Sequence, residues 1–348
     1  MKLQQLIFVA FLLSTLITTK VFADCTCEPV QPTGDKNKAL KFKLIALASI
    51  LISGSIGVSI PFAGKIFPAL RPEKDGYFVV KAFAAGVILA TAFIHILPQA
   101  FESLTSPCLK DHPWADFPFT GFVAMVATIM TLLFETSSEA YQVRAAATRV
   151  VGDSKDEEMN SVDGGLVHAS HGHVHGSSML KIADGKDEVR RYRIVSQVLE
   201  LGIIVHSVII GLSLGASKSP KTIRPLIAAL SFHQFFEGLG LGGSIFQAKI
   251  KSLTTIMMGT SFALTTPSGI VIGILISNTY YGKSSKALVV EGVLNAASAG
   301  ILIYMALVDL LSPDFKNPRM QNNKLLLLSS NVSLFLGTGL MSLLAKWA

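Results

Sequence analysis

Eight separate stretches of this chain are each long and apolar enough to cross a lipid bilayer. They cover residues 42–64, 77–101, 117–140, 194–216, 224–246, 253–277, 287–311 and 325–345. A helix rising ~1.5 Å per residue needs about 20 residues to traverse ~30 Å of hydrocarbon, and the runs recur at that length. This pattern specifies an all-α membrane protein with eight transmembrane helices. Half of the 348 residues are hydrophobic and only 15% are charged, and the mean hydropathy of +0.52 is high for a soluble protein. The net charge of +7 does not indicate a nucleic-acid partner. The basic residues sit at the ends of the apolar runs, where they act as topology determinants. The lipid bilayer is the surrounding these residues are built for.

The N-terminus reads as a signal peptide over 1–23. Met1 and Lys2 form a positive start, Leu6 to Ile17 an apolar segment, and Val21-Phe22-Ala23 a small-residue cleavage site. The competing reading, a first membrane anchor, is weakened by the short apolar segment and by Lys20. Residues 24–41 then form an extracellular N-terminal segment. Residues 42–140 carry helices 1–3, 141–193 a cytosolic His-rich variable loop, and 194–348 helices 4–8. Cys25 and Cys27 are poorly placed to bridge each other, so Cys108 is the expected partner of one of them. With an even number of spans both mature termini lie outside. Sixteen Lys and Arg fall in segments placed inside and eleven in those placed outside once Lys43 and Arg224 at the outer span ends are included, which agrees with the positive-inside rule. Lys218, Lys221 and Arg224 run against it.

The long central loop carries Asp153, Asp156, Glu157 and Glu158, and then a tract with His168, His171, His173 and His175. Glycine, serine and charge with few apolar residues do not fold alone. Imidazoles on a flexible tract suit Zn²⁺ and similar borderline ions. The tract reads as a weak cytosolic collector or sensor of metal, against the plainer reading of an inert linker.

Ionisable residues at membrane depth are costly and are usually kept for a function. His206 lies about ten residues into the fourth run, or ~15 Å along its axis, and His233 nine residues into the fifth. Glu237 is one turn beyond His233 and shares its face. Two helices thus deliver two histidines and a carboxylate near the bilayer midplane, where transporters place substrate sites. Three strong ligands leave a coordination position open. The expected centre is a metal site between helices 4 and 5 formed by His206, His233 and Glu237. Neutral imidazole and ionised carboxylate are the binding forms, so acid weakens it.

These segments carry a family resemblance. Leu199-Glu200-Leu201-Gly202-Ile203-Ile204-Val205-His206-Ser207, with Gly211-Leu212-Ser213-Leu214-Gly215, resembles the fourth helix of ZIP (Zrt/Irt-like) metal transporters. His233-Gln234-Phe235-Phe236-Glu237-Gly238 resembles their fifth. Leu294 to Gly300 and Ala306 to Leu311 resemble the seventh, especially in the plant branch. The resemblance runs from about Lys43 to the C-terminus. It implies eight helices, both ends outside, and alternating-access movement of Zn²⁺, Fe²⁺ or related ions into the cytosol.

Where many members place a glutamate one turn after the first histidine, this chain has Ile210, so a single ion is expected. Ser207 and Gln234 stand where ligands of a second metal would be. His95, in His95-Ile96-Leu97-Pro98-Gln99, resembles the family's entrance segment and is balanced between an entrance ligand and a histidine bonded to a neighbouring helix. Glu135 and Glu139 either line an exit or face cytosolic water. Glu102, Asp111, His112 and Asp116 either gather cations or solvate their loop. Asn295, Ser298 and Asp309 are expected to tie helices together by hydrogen bonds, and the glycines after His206 and Glu237 to bring helices 4 and 5 close.

The resulting expectation is an importer of divalent metal, zinc foremost, with Fe²⁺, Mn²⁺ and Cd²⁺ as further candidates. It has no prosthetic group, resides in the plasma membrane, and has a second copy of the chain as a dimer partner. An enzyme reading, a membrane-embedded zinc hydrolase, lacks its motif, since Gln234 stands where HExxH would have its Glu. A cation-diffusion exporter would typically have six spans and a soluble C-terminal domain.

Overall fold

Each apolar run folds as a helix, and the described part of the computed structural model covers residues 36–64, 74–109, 111–158, 176–217, 219–276 and 285–346. The long helices are α1 (Lys36–Ala63), α2 (Asp75–Leu104), α3 (Phe119–Glu158), α4 (Gly176–Ala216), α5 (Pro220–Gln247), α6 (Ser252–Ile276), α7 (Ser285–Lys316) and α8 (Lys324–Ala345). Among the described residues there is no strand. Seven of the eight are apolar enough over a membrane-spanning length. The exception is α5, 28 residues long, because His233, Gln234, Glu237 and its glycines dilute its apolar character.

Burial explains why α5 tolerates them. Over their most apolar stretches α2, α4 and α7 are 67%, 67% and 61% buried, whereas α1, α3, α6 and α8 are 33%, 22%, 39% and 28% buried. The first set is an inner layer, and α5, packed against α1, α2 and α4, belongs with it. Large apolar side chains such as Leu275, Leu325 and Phe335 project outward from the outer helices, as lipid contact requires. A helix shielded by its neighbours meets little lipid, so polar groups on it face the bundle interior.

The expected glycine contact between α4 and α5 does not form. A Cβ at Gly211 would lie 2.6 Å from the Thr266 carbonyl oxygen, and Gly215 abuts Ile270 and Gly273, so this face of α4 packs on α6. On α5, Gly238 and Gly242 meet the backbone of α1 around Gly54 and Val58. Small residues let two backbones approach, but here they bind the inner helices outward to α1 and α6. The space between α4 and α5 is left for side chains.

Two inner helices contain π-helical turns, Thr91–Ile96 in α2 and Met305–Leu311 in α7. Each ends two residues before a proline, Pro98 and Pro313. Proline has no N–H and its ring collides with the carbonyl four residues back, so the helix widens before it. The two turns carry His95 and Asp309.

α3 and α4 run beyond the apolar stretches, to Glu158 and from Gly176, where alanine, arginine, lysine and glutamate are good helix formers. Part of the expected central loop is therefore helical. Its histidine tract, the N-terminal 35 residues, Cys25 and Cys27 lie outside the described residues. Cys108 is disulfide-bonded.

Candidate metal centre

Three imidazoles from three inner helices converge. Ring centroids are 6.3 Å apart for His95 and His206, 5.9 Å for His95 and His233, and 5.9 Å for His206 and His233. They lie at matched depth. His95, His206 and His233 stand nine, ten and thirteen residues from Leu104, Ala216 and Pro220, where their helices meet the end of the bundle that bears Cys108. At ~1.5 Å per residue that is ~13–20 Å of helix. All are shut from solvent: His95 is 4% exposed, His206 and His233 1%, and Glu237 0%.

Local sequence sets these orientations. The π-turn before Pro98 adds backbone to α2 at His95, which aims that ring between α4 and α5. On α5, Phe236 packs on Phe83 of α2 at 4.7 Å and Phe232 on Phe236 at 5.0 Å. Gly238 and Gly242 face α1. With those two faces occupied, His233 and Glu237, four residues apart, share the remaining face. On α4 the Gly211–Gly215 face is pressed to α6, and His206 points away from it.

The polar atoms here lack partners. His95 Nε2, both ring nitrogens of His206, His233 Nδ1 and both carboxylate oxygens of Glu237 are buried without a hydrogen bond. His95 Nε2 makes no bond to a neighbouring helix. A buried polar group without a partner costs ~1–3 kcal/mol, so a cluster of them works against stability unless something else binds there. Imidazole nitrogens and one carboxylate are donors that suit borderline divalent cations.

The cluster is not closed as it stands. Among the described residues no three His, Cys, Asp or Glu side chains lie close enough to hold an ion. Two imidazoles on one tetrahedral zinc, with Zn–N of ~2.1 Å, place their centroids about 5 Å apart. These rings are roughly 1 Å further apart than that.

The remaining candidates separate from this cluster. Gln234 accepts a hydrogen bond from Thr266 Oγ1 on α6 at 3.2 Å. Ser207, buried with its Oγ unpartnered, shares the face of Gly211, which also abuts Thr266. Both therefore turn toward α6. Ile210 sits in an apolar cluster with Ala46, Ile50, Leu230 and Ile270. Glu135 does not face water: it is buried, and its Oε2 accepts a 2.6 Å hydrogen bond from Tyr304 Oη. Glu102 is exposed, and His112 pairs with Asp116 at the surface. The side chain of Glu139 and residues His168, His171, His173 and His175 lie outside what is described.

One ion pair goes beyond the sequence expectations, and one expectation is not met. Lys81 Nζ and Asp314 form a buried ion pair at 3.0 Å between α2 and α7, at the other end of the bundle. Asn295 and Ser298, expected to tie helices together, leave Asn295 Oδ1 and Nδ2 and Ser298 Oγ without partners. The available signal for the first was a lysine inside an apolar run, which demands a partner.

Comparison with known proteins finds relatives along most of the chain. The family profile described as ZIP Zinc transporter matches residues 40–345. The chain is 51% identical to "Zinc transporter 5" of Oryza sativa subsp. japonica, covering 94% of this chain and 92% of that protein. It is 50% identical to "Zinc transporter 3" of Arabidopsis thaliana, covering 99% and 98%. It is also 44% identical to "Fe(2+) transport protein 2" of Oryza sativa subsp. japonica, over 89% of this chain and 87% of that one.

Proposed function

Because the chain belongs to the ZIP zinc transporter family, we propose that it imports divalent metal ions into the cytosol, with Zn²⁺ as principal cargo and Fe²⁺, Mn²⁺ and Cd²⁺ as further candidates. The observation that carries this reading is the meeting of His95, His206 and His233 above Glu237, all buried and rich in unpartnered donor atoms. One ion is held at a time, because Ile210 is apolar and Ser207 and Gln234 turn to α6. His206, His233 and Glu237 are the principal ligands, and His95 closes over them from α2. Open rings make a site that binds and releases, whereas a closed cage of four strong ligands would retain the ion.

The chain is a transporter and not an enzyme, by its family, and neither a hydrolase nor an exporter reading is favoured. We place α5 across the membrane as an eighth span, supported by its 28-residue length and its position among the inner helices. We place the Cys108 end outside the cell at the plasma membrane. Its disulfide needs an oxidising compartment, and the excess of Lys and Arg lies on the opposite side. Ions enter from that end and leave past Glu237 and Asp309. The His-rich tract serves as a collector or sensor on the cytosolic side.

The test is zinc accumulation by cells expressing the chain, normalised to surface protein. His206→Ala, His233→Ala and Glu237→Ala should each lower the initial uptake rate by roughly 100-fold or more, as loss of one of few strong ligands does. Near-normal uptake by any of the three at equal surface amount refutes the site.

A further inference from the structure

We propose that the same ion passes through an earlier binding step on α7, formed by Asn295 and Ser298 between the Cys108 end and the imidazole cluster. The inference rests on the transport reading above. Asn295 is 1% exposed and Ser298 0%, and, three residues apart, they lie on one face of the helix. Asn295 Oδ1, Asn295 Nδ2 and Ser298 Oγ are all buried without a hydrogen bond. Other inner polar groups do find partners, as Glu135 does in Tyr304 and Gln234 Oε1 in Thr266. Unpartnered groups on a helix that lines the site point to an occupant.

Close contacts between helices place the pair. Gly292 meets Leu104 at the Cys108 end, while Leu310 and Ile88 both lie against Gly240 further down, so α7 runs antiparallel to α2. Between those contacts His95 falls level with Ile301 and Leu302. Gly202 of α4 abuts Ile301. α4 runs in the direction of α2: Arg193 near its inner end bonds the Ala248 carbonyl at 3.1 Å, and the adjacent Gly243 meets Tyr77 in the first turn of α2. His206 is therefore one turn from Gly202 toward the Cys108 end, level with Ser298. Asn295 stands about one turn further out, on the order of 5 Å.

The chemistry suits a cation that is still partly hydrated. An amide oxygen and a hydroxyl replace water ligands at little cost and hold the ion weakly, because neither is charged. The ion then reaches imidazole nitrogen and finally carboxylate, a series of increasing donor strength that draws it inward. Hard oxygen donors at the first step do not select for soft cations. That step admits what the imidazoles later select.

Two near-isosteric substitutions test this, Ser298→Cys and Asn295→Asp, with competitive Cd²⁺ and Mn²⁺ uptake measured at equal surface amount. The thiol should raise the Cd²⁺/Mn²⁺ uptake ratio by roughly threefold or more, and the added carboxylate should lower the apparent KM for Mn²⁺ several-fold, following ligand softness and charge. If a variant fails to reach the surface, the same ratio is read on purified protein in lipid vesicles loaded with a chelator. A packing role alone changes protein amount but neither the ratio nor the KM. Wild-type values of both in the two variants overturn the proposal. They leave the transport reading intact if His206→Ala abolishes uptake in the same assay, whereas absence of metal uptake by the unsubstituted chain sinks that reading itself.

Discussion

The bundle holds two buried polar clusters, and they are built in opposite ways. At the inner end Lys81 Nζ meets Asp314 at 3.0 Å, with side-chain exposures of 5% and 11%, and the Tyr192 ring centroid lies 6.0 Å from the ammonium. Arg319 pairs with Asp75 nearby at 2.7 Å, in the open. Charge there is matched by charge, and the pair joins α2 to α7. At mid-depth the His95, His206, His233 and Glu237 cluster holds buried donor atoms without hydrogen-bond partners. The satisfied cluster fastens helices, whereas the proposal above gives the unsatisfied one a ligand. Burial alone does not mark a functional site. Burial without partners is the observation on which the proposed site rests.

Breaking the satisfied cluster should have the largest effect on the fold. Lys81→Met removes the cation paired with the buried Asp314 carboxylate, which costs about 3–5 kcal/mol, whereas Lys81→Met with Asp314→Leu should recover most of that. Thermal unfolding of the purified protein in detergent measures both. A single variant as stable as the parent would remove the distinction drawn here.

The unsatisfied cluster should respond in the reverse sense. His95→Ala removes a buried imidazole whose Nε2 lacks a partner, so stability should hold or rise slightly. Zinc uptake should nonetheless fall roughly tenfold, within the range for loss of a supporting metal group. If uptake is unchanged while stability drops, His95 is a packing residue and the centre reverts to α4 and α5 alone.

The smallest effect is expected outside both clusters. Replacing His168, His171, His173 and His175 with Ser should leave the KM for Zn²⁺ within roughly twofold, because a tract of glycine, serine and histidine has too few apolar residues to fix a ligand geometry. Initial uptake rate against external Zn²⁺ checks this. Complete loss of transport would place the tract in the pathway.

Much of this molecule was legible before any coordinates. The eight helices follow from apolar length, and only α5 departs from a clean apolar span, for the reason that makes it interesting: it carries His233 and Glu237. Their shared face follows from a spacing of four. His95 was harder. Its run contains Pro98, but a proline does not reveal that the helix widens just before it or where the extra backbone aims the ring. The glycines misled in a similar way. Gly211 and Gly215 announce a close contact on α4, yet the sequence contains no partner's name, and the contact proves to be α6.

What the sequence alone determined, then, are properties local to one helix: its existence, its length, its polar face and its donors. These depend on residues within a few turns. Tertiary structure alone decided which faces meet: His95 joining the two motif histidines, Glu135 sheltered by Tyr304, Lys81 reaching Asp314 across 233 positions, and Asn295 left without a bond. Such pairings depend on the rotation and register of whole helices, which are set by the sum of many backbone contacts at glycines and of side-chain packing between distant segments. No short window of sequence contains that sum.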